Sequence, residues 1–238
     1  MENQRNRSDL IQAAARERRN LLEHEALQLL ESYKLPLPPY RFISRNDKIS
    51  SEMLDGLQYP LVVKVISPQI VHKSEVGGVQ LNLRSLNDVQ AAVSHMNKNI
   101  AEKAGDAEIT GYLLRSYIPD GTEIIVGSVT DSQFGQAVMV GIGGIYTEAY
   151  QDVSFRIAPV TVSDAHQMLD ELAGQPILNG MRGSPPVDRE LLSQVIAQFS
   201  RCIAENPSII ECDLNPVIAG AGSVMIADAR VKVGGQHE

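Results

Sequence analysis

The segment from Val62 to Val79, VVKVISPQIVHKSEVGGV, constrains the fold more than any other part of the 238-residue chain. It begins with an apolar run containing one cation, Lys64, as in a buried strand that delivers a lysine to a phosphate. The polar group His72–Glu75 follows, and His72 is suited to act as a base, a metal ligand or a phosphoryl acceptor. The pair Gly77–Gly78 would allow close approach of a ligand to the backbone. The segment predicts strand, loop and strand, either around a phosphate or as a hairpin with a solvated loop.

A second segment, Ser208–Ile218, has the sequence SIIECDLNPVI and predicts a strand that ends at Pro216. Alternate residues of a strand share a face. The two expected faces carry Ile210, Cys212 and Leu214 on one side and Glu211, Asp213 and Asn215 on the other. A short strand then leads to Asp228, and Asn215 and Asp228 offer the oxygen donors that Mg²⁺ prefers. The pattern predicts a magnesium site for nucleotide phosphates or a half-exposed strand with a polar outer face.

The composition narrows the class of ligand. The chain has a net charge of −8 and a pI of about 5.2, which argues against nucleic acid as its main partner. An anionic nucleotide would therefore be held by local lysines, arginines and backbone N–H groups. Aromatic residues make up 5% of the chain and tryptophan is absent, so base-stacking platforms are not expected.

The cysteine pattern and the termini indicate a cytoplasmic protein. Cys202 and Cys212 form no C-x-x-C motif, and both are expected to be buried, inert thiols. No apolar run is long enough to span a bilayer, and the arginine-rich N-terminus lacks the hydrophobic region of a secretory signal. We therefore expect neither a membrane partner nor a leader sequence.

Helix and strand signals alternate and predict an α/β (α+β) domain of two lobes. The predicted helices are Ser8–Tyr33, one capped by Ser85, one capped by Ser163 and ended at Gly174, and one capped by Asp188. A turn at Pro119–Gly121 separates two strands and marks the lobe boundary. The prediction is an N-terminal extension over 1–20, an N-terminal lobe over 21–118 and a C-terminal lobe over 119–238.

Seven blocks follow one another in the order found in a known family. They are HKSEVGGV (72–79), GTEIIVG (121–127), FGQAVMVGIGGIYTE (134–148), DVSFRIAP (152–159), RGSPPVD (182–188), ECDLNP (211–216) and ADAR (227–230). From about Leu22 to Val233 the chain resembles the ATP-grasp family, and more narrowly the β subunit of ADP-forming acetyl-CoA (acyl-CoA) synthetase, a relative of succinyl-CoA synthetase. The resemblance implies an ATP-grasp fold whose two lobes each have a sheet and packed helices, with the nucleotide between them.

The resemblance also implies residue roles. His72 matches a histidine that carries phosphate between a partner subunit and ADP, and Asp213 matches an acid near the transferring group. Asn215 and Asp228 match the ligands of Mg²⁺. The implied ATP/ADP-binding residues are Lys64, Lys73, Ser116, Tyr117, Ile118, Glu123 and Arg156. Arg115 stands where the family usually carries Glu or Gln, so both ADP and GDP stay open as the nucleotide.

The implied activity is acyl-CoA + ADP + phosphate ⇌ carboxylic acid + CoA + ATP. The implied partner is an α subunit with the CoA-binding and acyl-CoA ligase domains, in an α₂β₂ assembly. Two other hypotheses stay open: an ATP-grasp carboxylate ligase that uses no phosphohistidine, and a non-catalytic nucleotide-sensing subunit. The Lys64 and Asn215/Asp228 pattern disfavours the sensor, because a scaffold needs no magnesium ligands.

Overall fold

Backbone contacts divide the chain into two units. A computed structural model describes residues 2–144, 152–180 and 185–234, with side chains from residue 9 onwards; parts of the 134–148 and 182–188 motifs lie outside these ranges. The smaller unit comprises Leu22–His24 and Pro38–Ile118, and the larger comprises 1–21, 25–37 and 119–238. One boundary between the two units therefore lies between Ile118 and Pro119. Residues 25–37 belong to the larger unit rather than to an N-terminal lobe.

The smaller unit is built on a four-stranded antiparallel sheet in the order β1-β4-β2-β3. Its strands are β1 (Tyr40–Ser44), β2 (Leu61–Ile66), β3 (Val79–Leu83) and β4 (Gly111–Ser116). A 3₁₀ turn covers Glu52–Leu54, and helix α3 spans Leu86–Ala104. The predicted cap of α3 is confirmed, since the Ser85 hydroxyl accepts a 3.1 Å bond from the Asp88 N–H.

The two faces of this sheet have different surroundings. One face packs with α3 in a core that includes Leu61, Val63, Val65, Tyr112, Leu114, Val89, Met96 and Ile100. The other face carries Lys64, since its cross-strand partner is Leu113 whereas Val63 pairs with Leu114. Arg115, opposite Val62, lies on the same face as Lys64. The strand register therefore places Lys64 opposite the helix-covered core.

The N-terminal region forms two helices, where the sequence predicted one over Ser8–Tyr33. Helix α1 spans Glu2–Arg16 and helix α2 spans Glu23–Ser32. Arg18 has a φ of 52°, and the Arg19 N–H bonds the Ala14 carbonyl at 3.0 Å, which is a left-handed helix end. The prediction was wrong at this point because such ends usually carry glycine, and here an arginine takes that conformation.

The larger unit contains a six-stranded antiparallel sheet in the order β10-β8-β5-β6-β7, with β9 also paired to β8. Its strands are β5 (Thr122–Asp131), β6 (Gly135–Ile142), β7 (Val153–Ile157), β8 (Ile209–Ala219), β9 (Val224–Ile226) and β10 (Arg230–Val233). Within the described residues, the helices that follow in this unit are α4 (Val162–Glu171), α5 (Gln175–Leu178) and α6 (Arg189–Glu205).

The helix caps of the larger unit confirm one prediction and correct another. The Asp188 carboxylate accepts the Leu191 N–H at 2.9 Å and caps α6 as expected. Helix α4 begins earlier than predicted, because Thr161 rather than Ser163 is its cap and forms a reciprocal capping box with Asp164. Thr161 has the extended backbone that a cap requires, with φ −84° and ψ 166°.

Helices cover one face of the six-stranded sheet. Ser154 and Arg156 of β7 contact Glu171 of α4, and their cross-strand partners Val140 and Val138 are fully buried. The opposite face, here called the acid face, carries Glu123, Gly127, Met139, Phe155, Glu211, Asp213 and Arg230. Strand alternation thus presents the acids of β8 on the face away from α4 and α6.

Candidate active site

Lys64 and Lys73 share one buried carboxylate in the smaller unit. Lys64 Nζ lies 2.6 Å from Glu23 Oε1, and Lys73 Nζ lies 3.1 Å from Glu23 Oε2. The side chains of Glu23, Lys64 and Lys73 are only 3%, 7% and 16% exposed. Two cations and one anion leave a single net positive charge in surroundings of low dielectric, where attraction to a phosphate is strong. This group is called the lysine cluster below.

The loop between β2 and β3 turns Lys73 inward and His72 outward. The His72 side chain is 67% exposed, with Nδ1 4.0 Å from Glu75 Oε1. The Gly78 N–H donates to the Lys73 carbonyl at 2.7 Å, and the Gly78 carbonyl accepts from the Val65 N–H at 2.8 Å. A Cβ on Gly78 would lie 2.6 Å from Val65 Cγ1, so glycine is needed for the loop to pack on its own strand. The exposed imidazole therefore lies on a loop that backbone hydrogen bonds hold against β2, next to Lys73 of the lysine cluster.

In the larger unit, Asn215 and Asp228 each lie two positions along the chain from a member of the cross-strand pair Asp213 and Arg230. Strand β8 has an extra residue opposite Ile125, because Ile124 pairs with Val217 and Val126 pairs with Leu214. Such a bulge re-aims side chains, and it falls at Asn215–Pro216. The strand continues to Ala219, so the prediction that Pro216 ends the ladder was wrong.

The predicted alternation of β8 holds around the acids. Cys212 and Leu214 are 2% and 0% exposed, whereas Asp213 is half-buried on the other face. Ile210 departs from the expectation: it is 45% exposed near the start of the strand, and Ile209 is buried instead. Cys202 is also buried, so both thiols are enclosed as expected.

The surroundings of Asp213 shift the pKa of its carboxyl. Partial burial raises its pKa above the ordinary value, and the nearby acids Asp228 and Glu211 raise it further. Arg230, its direct cross-strand partner, opposes this shift and favours the charged form. A carboxyl whose pKa is shifted by burial and neighbouring charges is a candidate functional residue.

Asn215 and Asp228 fit the donor set of a magnesium site. The Ala227 N–H bonds the Pro216 carbonyl at 2.9 Å, which ties the two chain segments together one residue from each donor. An amide oxygen and a carboxylate are hard donors, and Mg²⁺ commonly uses one or two protein ligands together with water and substrate phosphates. Among the described residues, no group of three or more His, Cys, Asp or Glu could hold a metal. The two-donor set therefore suits a cation that substrate phosphates help to bind.

Glu123 lies exposed at the start of β5, on the acid face. Its carbonyl accepts a 2.6 Å bond from the Gly143 N–H, and a Cβ on Gly143 would lie 2.8 Å from the Glu123 Cβ. Gly143 thus permits close packing of the segment after β6 against Glu123. The role of Glu123 in nucleotide binding stays a prediction.

The backbone at Ser116–Ile118, predicted to bind ATP/ADP, is partly engaged within the smaller unit. The Ser116 N–H bonds the Pro39 carbonyl, and the Tyr117 N–H bonds the Pro60 carbonyl, both at 3.0 Å. The Ser116 hydroxyl accepts from the Gln58 N–H at 2.8 Å, on the face opposite Lys64. Ile118 is half-buried and Tyr117 is exposed. Any contact of this segment with a base would therefore use groups other than these two N–H donors.

Arg156 lies on the helix-covered face of its sheet, away from the acid face. Its guanidinium donates to the Glu171 carboxylate, with a 3.0 Å bond from one nitrogen, and links β7 to α4. The bonds from Arg156, followed by a bond from Ser154, lower the Glu171 pKa from 4.5 to about 2. This environment gives Arg156 a structural role, and its assignment as a phosphate-facing residue stays a prediction without support from the geometry.

A pH prediction follows for this ion pair. A carboxyl whose pKa is lower in the folded state stabilises the fold above its ordinary pKa, and that contribution is lost as the pH falls through the folded value. Between pH 4.5 and about 2 the wild type should therefore lose thermal stability more steeply than Glu171→Gln. Melting temperatures across pH 2–7 test this, and parallel curves for the two proteins would contradict it.

Comparisons with known proteins place the chain in a family. A model of the ATP-grasp domain matches residues 12–233. The chain belongs to the ATP-grasp family. It is 39% identical over 223 residues to the acetate–CoA ligase [ADP-forming] I subunit beta of Pyrococcus furiosus, covering 94% of this chain and 96% of that subunit. It is also 39% identical to the acetate–CoA ligase [ADP-forming] I of Archaeoglobus fulgidus, covering 88% of this chain but 30% of that longer relative.

The solved structures agree with this ATP-grasp assignment. The dinucleotide-forming acetyl-coenzyme A synthetase 1 of Ca. Korarchaeum cryptofilum, solved with coenzyme A and Ca-AMPCP, matches with a TM-score of 0.90 and 39% identity. The match covers 95% of this chain and 99% of that one. A second structure of that protein has coenzyme A, Mg-AMPPCP and a phosphohistidine segment pointing towards the nucleotide-binding site, and matches at a TM-score of 0.84 with 37% identity, covering 96% of this chain and 100% of that one. The ATP-grasp fold with antiparallel sheets and packed helices is thereby confirmed.

Sequence reasoning missed two residues of the site. Glu23, which binds both lysines, lies 41 positions before Lys64 and belongs to none of the motif blocks. Arg230 follows Asp228 within the ADAR block, but only the β8–β10 register shows that it faces Asp213. A search for acids able to neutralise the buried Lys64 could have drawn attention to Glu23, although many acids would have qualified.

The described ranges contain no helix that is both long and apolar enough to cross a membrane.

Proposed function

We propose that the chain is the nucleotide-binding subunit of an ADP-forming acyl-CoA synthetase. In this role it transfers a phosphoryl group between a histidine on its partner and ADP, within acyl-CoA + ADP + phosphate ⇌ carboxylic acid + CoA + ATP. The observation that carries the proposal is the placement of His72. Its ring is 67% exposed on a loop whose next residue, Lys73, joins Lys64 in a buried cationic cluster. A neutral imidazole beside phosphate-binding cations is a suitable phosphoryl acceptor.

The other site residues have separate roles in this proposal, according to their chemistry. Lys64 and Lys73 bind phosphate oxygens and offset the charge that phosphoryl transfer spreads over them. Asn215 and Asp228 would hold Mg²⁺, which when bound neutralises phosphate charge. Asp213 orients an imidazole near the transferring group and balances its charge. Glu123 contributes to nucleotide binding, in keeping with its exposed position at the start of β5.

The acyl and CoA chemistry is assigned to a separate α subunit. The Pyrococcus relative is named a beta subunit and has nearly the length of this chain, whereas this chain matches only 30% of the Archaeoglobus relative. We infer that the rest of such a longer relative corresponds to the CoA-binding and acyl-CoA ligase domains of the partner. An α₂β₂ heterotetramer in the cytoplasm is the proposed assembly.

The test is phosphorylation with γ-labelled ATP and Mg²⁺, with and without the candidate α subunit. The expected result is an acid-labile, base-stable label that maps to His72. Absence of label with the partner present, despite tight binding of ATP, would reject the proposal. If turnover continued without the label, the chain would act as a carboxylate ligase without phosphohistidine; without turnover it would be a nucleotide sensor.

A further inference from the structure

We propose that Glu23 is a positioning residue for phosphoryl transfer: its buried carboxylate binds Lys64 and Lys73 together and thereby fixes the loop that carries His72. The inference rests on the proposed function of His72 and adds a residue that lies outside all the sequence motifs. It concerns only the smaller unit, to which Leu22–His24 belong.

The burial of Glu23 shows that its contacts are specific. A carboxylate that is 3% exposed loses most of its hydration, which costs several kcal/mol unless charged partners and hydrogen bonds compensate. Glu23 obtains that compensation from two ammonium groups: Lys64 Nζ donates a 2.6 Å hydrogen bond to Oε1, and Lys73 Nζ lies 3.1 Å from Oε2 as an ion pair without hydrogen-bond geometry. It is also the first residue of α2, where the helix dipole favours negative charge. The carboxylate is therefore held in place from both sides.

The path from Glu23 to His72 runs through Lys73. The side chain of Lys73 is anchored by Glu23, and its carbonyl is anchored by the Gly78 N–H at 2.7 Å. With both groups held, the backbone next to His72 has little freedom, while the imidazole itself remains 67% exposed. A fixed backbone with an accessible ring is what a residue that accepts and passes on a phosphoryl group requires.

A different role for Glu23 would be that of a placeholder, meaning an anion that pairs with the lysines until a nucleotide phosphate displaces it. The structure favours positioning, because an ammonium group has three donors and one ion pair leaves Lys73 able to bind an additional oxygen. The two roles predict different effects of removing the carboxylate on nucleotide affinity and on the rate of phosphoryl transfer. Removal of a placeholder anion would tighten nucleotide binding, whereas removal of a positioning carboxylate would slow phosphoryl transfer without tightening binding.

The experiment compares the wild type, Glu23→Gln and the matched control Glu25→Gln, each with the α subunit present. Glu25 lies on the same helix and binds Arg19 at 2.6 and 2.8 Å, so its variant also loses an ion pair but not the one in the cluster. The readouts are the rate of His72 phosphorylation, calorimetric affinity for Mg-ADP, and hydrogen exchange of the amides of residues 72–78. If Glu23→Gln fails to fold, Glu23→Asp keeps the charge but is one methylene too short to reach both lysines.

The expected result is a rate that falls roughly ten- to hundred-fold in Glu23→Gln, since a misplacement of about 1 Å costs up to 10²-fold. The affinity for Mg-ADP should change far less, and exchange at Gly78 should accelerate because its acceptor belongs to Lys73. Glu25→Gln should match the wild type in all three readouts. Combining Glu23→Gln with Lys73→Met should slow the rate less than the sum of the two single effects, because both changes remove the Glu23–Lys73 link and only Glu23→Gln also releases Lys64.

Two results would overturn the inference. Tighter Mg-ADP binding with unchanged loop exchange would make Glu23 a placeholder. A lower melting temperature with unchanged rate, affinity and exchange would make its role purely structural. If the wild type takes no label at His72, the proposed function fails, and the exchange of residues 72–78 still decides whether Glu23 anchors the loop.

Discussion

Replacing His72 by Asn should abolish phosphoryl transfer while leaving nucleotide binding intact. Asn has a similar size and polarity but cannot form a phosphoramidate on a ring nitrogen, so the rate should fall by about 10³-fold or more, as expected when a nucleophile is removed. The fold should survive, because the His72 side chain is 67% exposed and lies a long 4.0 Å from Glu75. The measurements are transfer of label from γ-labelled ATP with the α subunit present, and calorimetric binding of Mg-ADP.

His166→Asn is the matched control for this experiment. His166 is a partly exposed histidine of the larger unit that binds Glu190 at 2.8 Å, and it has no part in the proposed site. Its variant should retain the wild-type rate. Turnover preserved in His72→Asn would refute the phosphohistidine route and favour the direct carboxylate ligase.

Replacing Asp228 by Ala should weaken binding of Mg-nucleotide and raise the magnesium concentration needed for activity. One of the two proposed protein ligands is lost, and we expect a loss of affinity on the order of ten- to hundred-fold, in the range for perturbed metal sites. Nucleotide binding in the absence of Mg²⁺ should change little, because the lysine cluster is untouched. Titration of Mg²⁺ at fixed ADP, and of ADP with and without Mg²⁺, measures both effects.

A second variant separates the loss of the metal ligand from a local structural effect at Asp228. The Asp228 carboxylate accepts a 2.8 Å bond from the Ala229 N–H, which Ala removes and Asn can retain. Asp228→Asn should therefore keep the local turn and still lose magnesium affinity. Asp170→Ala, which removes only a surface partner of Arg189, provides the control for loss of an acid. An unchanged magnesium dependence in both Asp228 variants would eliminate the metal assignment.

Much of the fold could be predicted from the sequence because its signals are local. The lysine strand, the Ser85 and Asp188 caps and the apolar side of β8 around Cys212 all depend on residues a few positions apart. Local patterns fail where a residue adopts an uncommon conformation for its type. Arg18 in a left-handed conformation and Pro216 within a continuing strand are such cases.

The residues of the candidate site also fall into those that local sequence patterns predict and those that only the folded chain brings together. The sequence by itself determined that Lys64 lies on a buried strand, that a histidine loop follows it, and that the acids of β8 alternate with apolar residues, since each property follows from spacing along one segment. Only the tertiary structure decided that Glu23 pairs with two lysines, that Arg230 faces Asp213, and that Arg156 lies on the helix-covered face. These are pairings between distant segments, and they depend on strand register and on the compensation of buried charge, which no local pattern encodes.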